Sequence, residues 1–260
     1  MAGSGARSST TSVTSRARLR ASKRSARLND SPRGGRDSVL RALFIPEPLC
    51  RELARLAEMG ALERDLRANG FAAIAGTDEV GRGCLAGPVV AAAVILGDGA
   101  VLPRLDDSKR LSSADLQSLS FRVLATARAV AIGVVDTETI DRINILEASK
   151  LAMRHAVEAL PVRPDALLLD AVYLENLIVP QLPIVKGDSR SVSIAAASIV
   201  AKVYRDSLME SYHELYPHYD FVNNVGYGTA KHCKALEEYG PSPIHRRGFR
   251  GVIDQHPLFG

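Results

Sequence analysis

A chain of 260 residues with 46% apolar side chains can bury a sizeable core, and one domain of roughly 200 residues with appendages is the expectation. Its longest apolar stretch, Val89 to Leu96, falls far short of the roughly 20 residues of a membrane helix, so a spanning segment is excluded and a soluble chain expected. Three widely spaced cysteines, Cys50, Cys84 and Cys233, exclude a paired disulfide framework or zinc site and suit a reduced, cytoplasmic setting.

The net charge of +4 is unevenly divided. Residues 1–40 hold nine Lys/Arg and two Asp/Glu, a net of +7, while the rest of the chain holds 24 and 27, a net of −3. This first stretch is rich in Ser, Arg, Gly and Thr and poor in aliphatics, so it is expected to be a disordered basic tail. Three readings stand: a loose electrostatic contact with nucleic acid, a transit-like segment, or a solvated tail from a misassigned start. Residues 41–70 read as a helical extension. Leu49, Leu53, Leu56, Leu62 and Leu66 recur with helical spacing, interrupted near Gly60 and ended at Gly70.

The domain proper is expected over residues 71–260. Ile74 to Thr77 reads as a strand, and Pro88 to Leu96 as its antiparallel neighbour across a glycine-rich, hairpin-like link. Asp78, Glu79 and Arg82 therefore stand at or near a strand end. Gly81 and Gly83 flank Arg82, letting backbone approach a ligand beside a guanidinium, which suits a phosphodiester. Downstream, Ser112 or Ser113 can cap a helix, and Ser108 with Lys109 are candidate contacts to a backbone phosphate. Ala129 to Val135 is strand-like. Ile140 to Leu160 reads as one helix stopped by Pro161, with Asn144 as a cap near its start.

Ala166 to Leu169 is a short apolar strand ending in Asp170, and Pro183 to Val185 another, followed by Lys186, Gly187 and Asp188. Singly, each acid would be a turn or cap residue. Together with Asp78 and Glu79 they are acids at the ends of three strand candidates, and they can converge only if divalent cations offset their repulsion. Six scattered histidines without His-x-x-x-His spacing leave oxygen as the expected ligand atom. Ser189 to Leu215 is a long helix whose small residues allow close packing, with Asp206 as the i,i+4 partner of Lys202. In the following loop, Gly226 and Gly228 flank Tyr227, which suits stacking on a sugar or base.

The run Asp78-Glu79-Val80-Gly81-Arg82-Gly83, with Leu85-Ala86-Gly87-Pro88-Val89-Val90 after it, resembles the signature of ribonuclease HII, the type 2 ribonuclease H. The likeness extends over about Phe71 to Phe249. It includes the Asp-Ser-Lys segment, the acids Asp170 and Asp188 in family order, and His245-Arg246-Arg247-Gly248-Phe249, whose arginines are candidate phosphate contacts. The resemblance implies an α/β, ribonuclease H-like fold: a mixed five-stranded sheet flanked by helices, with a helical C-terminal region. It implies cleavage of RNA in RNA/DNA hybrids and 5′ of single ribonucleotides in duplex DNA, leaving 5′-phosphate and 3′-hydroxyl ends. Catalysis and metal binding would fall to Asp78, Glu79, Asp170 and Asp188, with two Mn²⁺ or Mg²⁺ ions. Substrate binding would fall to Gly81, Arg82, Gly83 and Tyr227, which would sense the 2′-hydroxyl, with Ser108, Lys109 and Lys186 beside them. A monomer is expected, with a weak sliding-clamp contact through Gln255 to Gly260. Three positions depart from the family pattern: Cys84 for proline, Ala171 for glycine and Val225 for lysine.

Two rival readings remain. A type 3 ribonuclease H is disfavoured because the polar N-terminal part cannot form that family's extra folded domain. A catalytically silent nucleic-acid binder is disfavoured by the intact acids.

Overall fold

The computed structural model describes residues 46–106, 108 and 111–252. The basic stretch at 1–40, Lys109 and the C-terminal segment at 255–260 lie outside them.

Helices α1 (Glu47–Met59) and α2 (Ala61–Ala68) meet at Gly60, where the leucine spacing predicts a break. They are amphipathic, and their apolar stripes turn inward: Leu56 and Met59 join one core cluster, Leu62 and Leu66 another. Strand β1 (Ile74–Val80) follows, then β2 (Val89–Leu96), paired antiparallel with it. Helix α3 (Ser113–Thr126), capped by the Ser112 hydroxyl on the Asp115 amide, leads into β3 (Ala127–Val135).

The single helix expected over 140–160 is two, α4 (Thr137–Ile143) and α5 (Ile145–Glu158). Asn144 stands between them at φ 70° and ψ 164°, an extended positive-φ conformation that is strained for a side chain with a β-carbon, and its side chain caps α5 by accepting the Leu146 and Glu147 amides. The cap is where the sequence puts it; the break there is not visible in helical periodicity. Strands β4 (Ala166–Asp170) and β5 (Gln181–Ile184) precede a 3₁₀ turn at Gly187–Ser189 and the 24-residue α6 (Val192–Leu215). Two short helices, α7 (Phe221–Asn224) and α8 (Ala230–Tyr239), form the helical C-terminal region.

The sheet runs β3-β2-β1-β4-β5, antiparallel across its first three strands and parallel from β1 through β5. Helices cover both faces, which is why β2 reads as an unbroken apolar run. Val89, Ala91, Ala93 and Ile95 pack with Ala152, Met153 and Ala156 of α5, while Val90, Ala92, Val94 and Leu96 pack with Ala195 to Ala197 and Ile199 of α6. All eight are buried, and each full burial of a Val, Leu or Ile side chain contributes on the order of 1.5–3 kcal/mol. Gly76 sets how near α6 can come. A β-carbon there would lie 2.1 Å from the Ser193 carbonyl carbon, so only glycine lets the start of α6 rest on β1.

Candidate active site

Strand pairing places the acids. β1 and β4 run parallel with Thr77 opposite Leu169, so the next residues along, Asp78 within β1 and Asp170 at the end of β4, fall side by side on the same face. Glu79 follows Asp78 and, by strand alternation, starts toward the other face. Asp78, Glu79 and Asp170 nonetheless line one cleft of about 240 Å³, together with Val80, Gly81, Arg82, Gly83, Ser108, Ser198, Lys202 and Tyr227.

The electrostatics are those of crowded carboxylates. Asp78 is buried, and desolvation raises its pKa well above the ordinary carboxylate range; the charges of Glu79 and Asp170 add to the effect, against a hydrogen bond from Ser198. Burial likewise raises Glu79, opposed by Arg82 and reinforced by Asp170. Arg82 Nη1 stands 3.2 Å from Glu79 Oε1, while Glu79 Oε2 is buried without a hydrogen-bond partner. An orphaned carboxylate oxygen beside two further acids fits a hard cation held by oxygen. Among the described residues, no three His, Cys, Asp or Glu side chains are already gathered as a ready-made metal site.

Asp188 is placed differently. It is buried on the 3₁₀ turn after β5 and does not line the cleft. The same turn reaches the acids through its backbone, since the Gly187 amide donates to Asp170 Oδ1 at 2.8 Å. Lys186, at φ 56°, is exposed at the start of this turn and also lies off the cleft wall. Ser108 is buried in the wall, its hydroxyl 2.9 Å from that of Ser198.

Ser198 and Lys202 are cleft residues that sequence reasoning treated as packing and as an ion-pair partner. Lys202 does hold Asp206 at 2.7 Å, as the i,i+4 spacing predicts. The available signal was that same spacing: Ser198 and Lys202 lie one turn apart on α6, facing the strand end that carries Asp78.

The glycine-arginine loop is built from behind. Arg205 and Arg246 are both fully buried. Arg205 donates to the carbonyls of Pro88, Val225 and Ala86, and Arg246 to those of Gly87 and Arg82. Arg246 is therefore neither a phosphate contact nor a solvated residue, contrary to the sequence reading. Its guanidinium replaces the backbone partners that an irregular buried loop lacks. Gly81 fits this packing, because a β-carbon at its φ of 93° would lie 2.2 Å from Arg205 Nε.

Tyr227 comes from the turn after α7. It is 45% exposed and leans on the loop, with its Cε1 3.8 Å from where a β-carbon on Gly83 would be. The three departures from the family pattern also have places. Cys84 is buried in the loop, Ala171 follows Asp170 at φ 53°, and Val225 takes φ 42° with its carbonyl on Arg205. Both positive angles are costly for a side chain with a β-carbon, most of all for a β-branched one.

A mixed sheet in this order, with helices on both faces and acids at the ends of its central strands, defines the ribonuclease H-like class. The ribonuclease H2 of Pyrococcus horikoshii shares this fold, with a TM-score of 0.61 at 23% identity over 70% of this chain and 95% of that one. The ribonuclease HII of Archaeoglobus fulgidus, solved in a complex with PCNA, matches with a TM-score of 0.56 at 26% identity, covering 67% and 92%. The Ribonuclease HII of Lactobacillus johnsonii is 56% identical over 181 residues, 70% of this chain and 72% of that one. The family model for Ribonuclease HII matches residues 75–252, and the chain belongs to that family. It is accordingly a ribonuclease H, an endoribonuclease acting on RNA in RNA/DNA hybrids.

Proposed function

We propose that this enzyme is a metal-dependent endonuclease that cuts RNA/DNA hybrids and also cuts 5′ of single ribonucleotides in duplex DNA, leaving 5′-phosphate and 3′-hydroxyl ends. Its role is then the removal of ribonucleotides from DNA. The observation that carries this reading is the convergence of Asp78, Glu79 and Asp170 in one cleft with the Gly81-Arg82-Gly83 loop and Tyr227. Three acids beside a phosphate-sized, arginine-lined opening suit hydrolysis of a phosphodiester.

Asp78, Glu79 and Asp170, with Asp188 from the adjoining turn, would hold two Mn²⁺ or Mg²⁺ ions, which supply charge neutralisation at the scissile phosphate. The remaining work belongs to the chain. Ser198 holds the Asp78 carboxyl by a hydrogen bond, and the Gly187 amide holds that of Asp170. Arg82 keeps Glu79 in the cleft and offers its remaining N–H groups to a phosphate oxygen. Backbone at Gly81 and Gly83 meets the ribose 2′-hydroxyl, the atom that separates RNA from DNA, and Tyr227 stacks at the sugar beside it. Ser108 and Lys186 are further candidate contacts to the strand, and Lys109, outside the described residues, is a third by its place in the sequence.

Among the described residues, no helix is long and apolar enough to cross a membrane. Cys84 and Cys233 are free thiols, which suits a reducing cytoplasm, and the enzyme acts there as a monomer. The segment 255–260, with Leu258 and Phe259, is the candidate contact for a sliding clamp such as the PCNA of the archaeal complex.

The test is cleavage of a labelled DNA duplex carrying one ribonucleotide, with Mg²⁺, Mn²⁺ or chelator, by wild type and Asp170→Asn. We expect metal-dependent cutting on the 5′ side of the ribonucleotide, reduced at least about 100-fold in the variant. Cutting of long hybrids alone would instead assign the specificity of a type 3 enzyme. No cutting with any metal would leave a nucleic-acid binder.

A further inference from the structure

Behind Tyr227 lies a pair of side chains that the reaction does not use. His232 on α8 and His245 in the C-terminal loop are both buried, with their Nε2 atoms 2.9 Å apart. Two imidazoles can share such a contact only if one donates and the other accepts, and the surrounding backbone decides which. The Ser242 amide can only donate, and it lies 2.9 Å from His245 Nδ1. In a neutral ring, that places the His245 proton on Nε2, where it is donated to His232 Nε2. The His232 proton must then sit on Nδ1, which is 2.8 Å from the carbonyl oxygen of Tyr227, a group that can only accept. The Ser242 hydroxyl also lies 2.8 Å from His245 Nδ1 and, with the amide already donating there, donates as well, so the order runs in one direction: Ser242 to His245, His245 to His232, His232 to Tyr227.

The surroundings favour neutral rings. Tyr219 meets His245 edge-on at 4.7 Å, and Phe221 meets His232 edge-on at 5.4 Å. Burial is the first cause of the lowered pKa of both histidines, and the charge of His232 contributes to bringing His245 to about 4. A proton added to either ring would put two N–H groups face to face or leave the Ser242 amide without its acceptor.

We propose that the neutral His232–His245 pair is the positioning device for Tyr227. It fixes the Tyr227 carbonyl, and with it the angle at which the ring stands over Gly83. The Thr229 amide shares that carbonyl at 2.8 Å, while the Tyr227 amide donates to Asn224, so the residue is held on both sides of its Cα. The pair therefore acts on recognition of the ribonucleotide and not on the bond-breaking step. This inference rests on the reading that Tyr227 touches substrate.

The experiment compares steady-state cleavage of a duplex carrying one ribonucleotide by wild type, Tyr227→Ala, His232→Leu, His232→Asn and the double variant Tyr227→Ala/His232→Leu. Asparagine retains a donor near the position of Nδ1; leucine does not. We expect His232→Leu to raise KM roughly tenfold with kcat within about twofold, as for Tyr227→Ala, and the double variant to be no worse than Tyr227→Ala alone. His232→Asn should restore KM to near the wild-type value. If Tyr227→Ala raises KM and a folded His232→Leu does not, the positioning role is overturned while the tyrosine reading survives. If Tyr227→Ala leaves KM unchanged, the tyrosine reading fails and this inference falls with it. Should His232→Leu not fold, ¹⁵N NMR of the wild-type imidazoles decides independently. A proton on Nδ1 of His232 and on Nε2 of His245 is expected; a proton on Nε2 of His232 would overturn the proposal.

Discussion

In the metal-holding role proposed for it, Asp78 would serve function at the expense of stability. Its folded-state pKa lies above the unfolded value of about 3.9, so between those values the native protein binds more protons than the unfolded chain. In metal-free protein the Asp78 contribution therefore favours folding at acid pH and disappears as pH rises through that window. At neutral pH the residue is a net cost. Asp78→Asn should accordingly raise the metal-free Tm at pH 7 by roughly 2–4 °C, the equivalent of about 1 kcal/mol, while lowering cleavage at least about 100-fold. Thermal denaturation of both proteins in chelator at pH 5 and pH 7 checks this, and the gap should narrow at the lower pH. Arg246 teaches the opposite lesson. In sequence it looks like a surface cation beside Arg247, yet it is wholly buried, and among the described residues its hydrogen-bond partners are backbone carbonyls. Charge alone did not tell the two arginines apart, because burial is decided by what the fold brings against each.

Among the elements, α6 carries the most: it covers one face of the sheet, supplies Ser198 and Lys202 to the cleft, and holds Arg205 behind the loop. Its N-terminus is capped twice. Ser191 accepts the Ile194 amide, and Glu63, from α2 far upstream, accepts the Ser193 amide at 2.9 Å and the Ser191 hydroxyl at 2.6 Å. The local cap is legible in sequence; the second is not, since 130 residues separate Glu63 from Ser193. Glu63 looks like an ordinary charge on a short helix, yet it is 1% exposed and ties the N-terminal helices to the element that positions the site. Glu63→Ala should destabilise the protein by about 1–3 kcal/mol in urea denaturation, with kcat per folded molecule unchanged within about twofold.

For the molecule as a whole, charge is divided between two regions. Residues 41–260 carry a net of −3, and the acids of the cleft bear the same sign as the phosphates they must approach. The +7 of residues 1–40 is the natural counterweight. Removing these residues should weaken binding to an RNA/DNA hybrid at low salt and flatten the dependence of log Kd on log salt by about 0.9 for each phosphate that the segment neutralises. Titrations at several KCl concentrations check this, and an unchanged slope would show that the segment neutralises none.

Features that depend on neighbours along the chain were legible in the residues alone. The apolar run of β2, the acids at or near the ends of β1 and β4, the serine caps and the glycines around Arg82 follow from residue type and local spacing. Helices α1 and α2 were legible for the same reason, through 3.6-residue periodicity. How those pieces meet was settled by the folded chain. Parallel pairing of β1 with β4 sets Asp78 beside Asp170, Gly76 lets α6 bring Ser198 and Lys202 to them, and Asp188 stays on an adjoining turn off the cleft wall. Two buried arginines and a pair of histidines support the loop and Tyr227 through contacts between residues up to 164 positions apart. Such contacts leave no periodic trace, because each depends on a single donor meeting a single acceptor after the chain has folded.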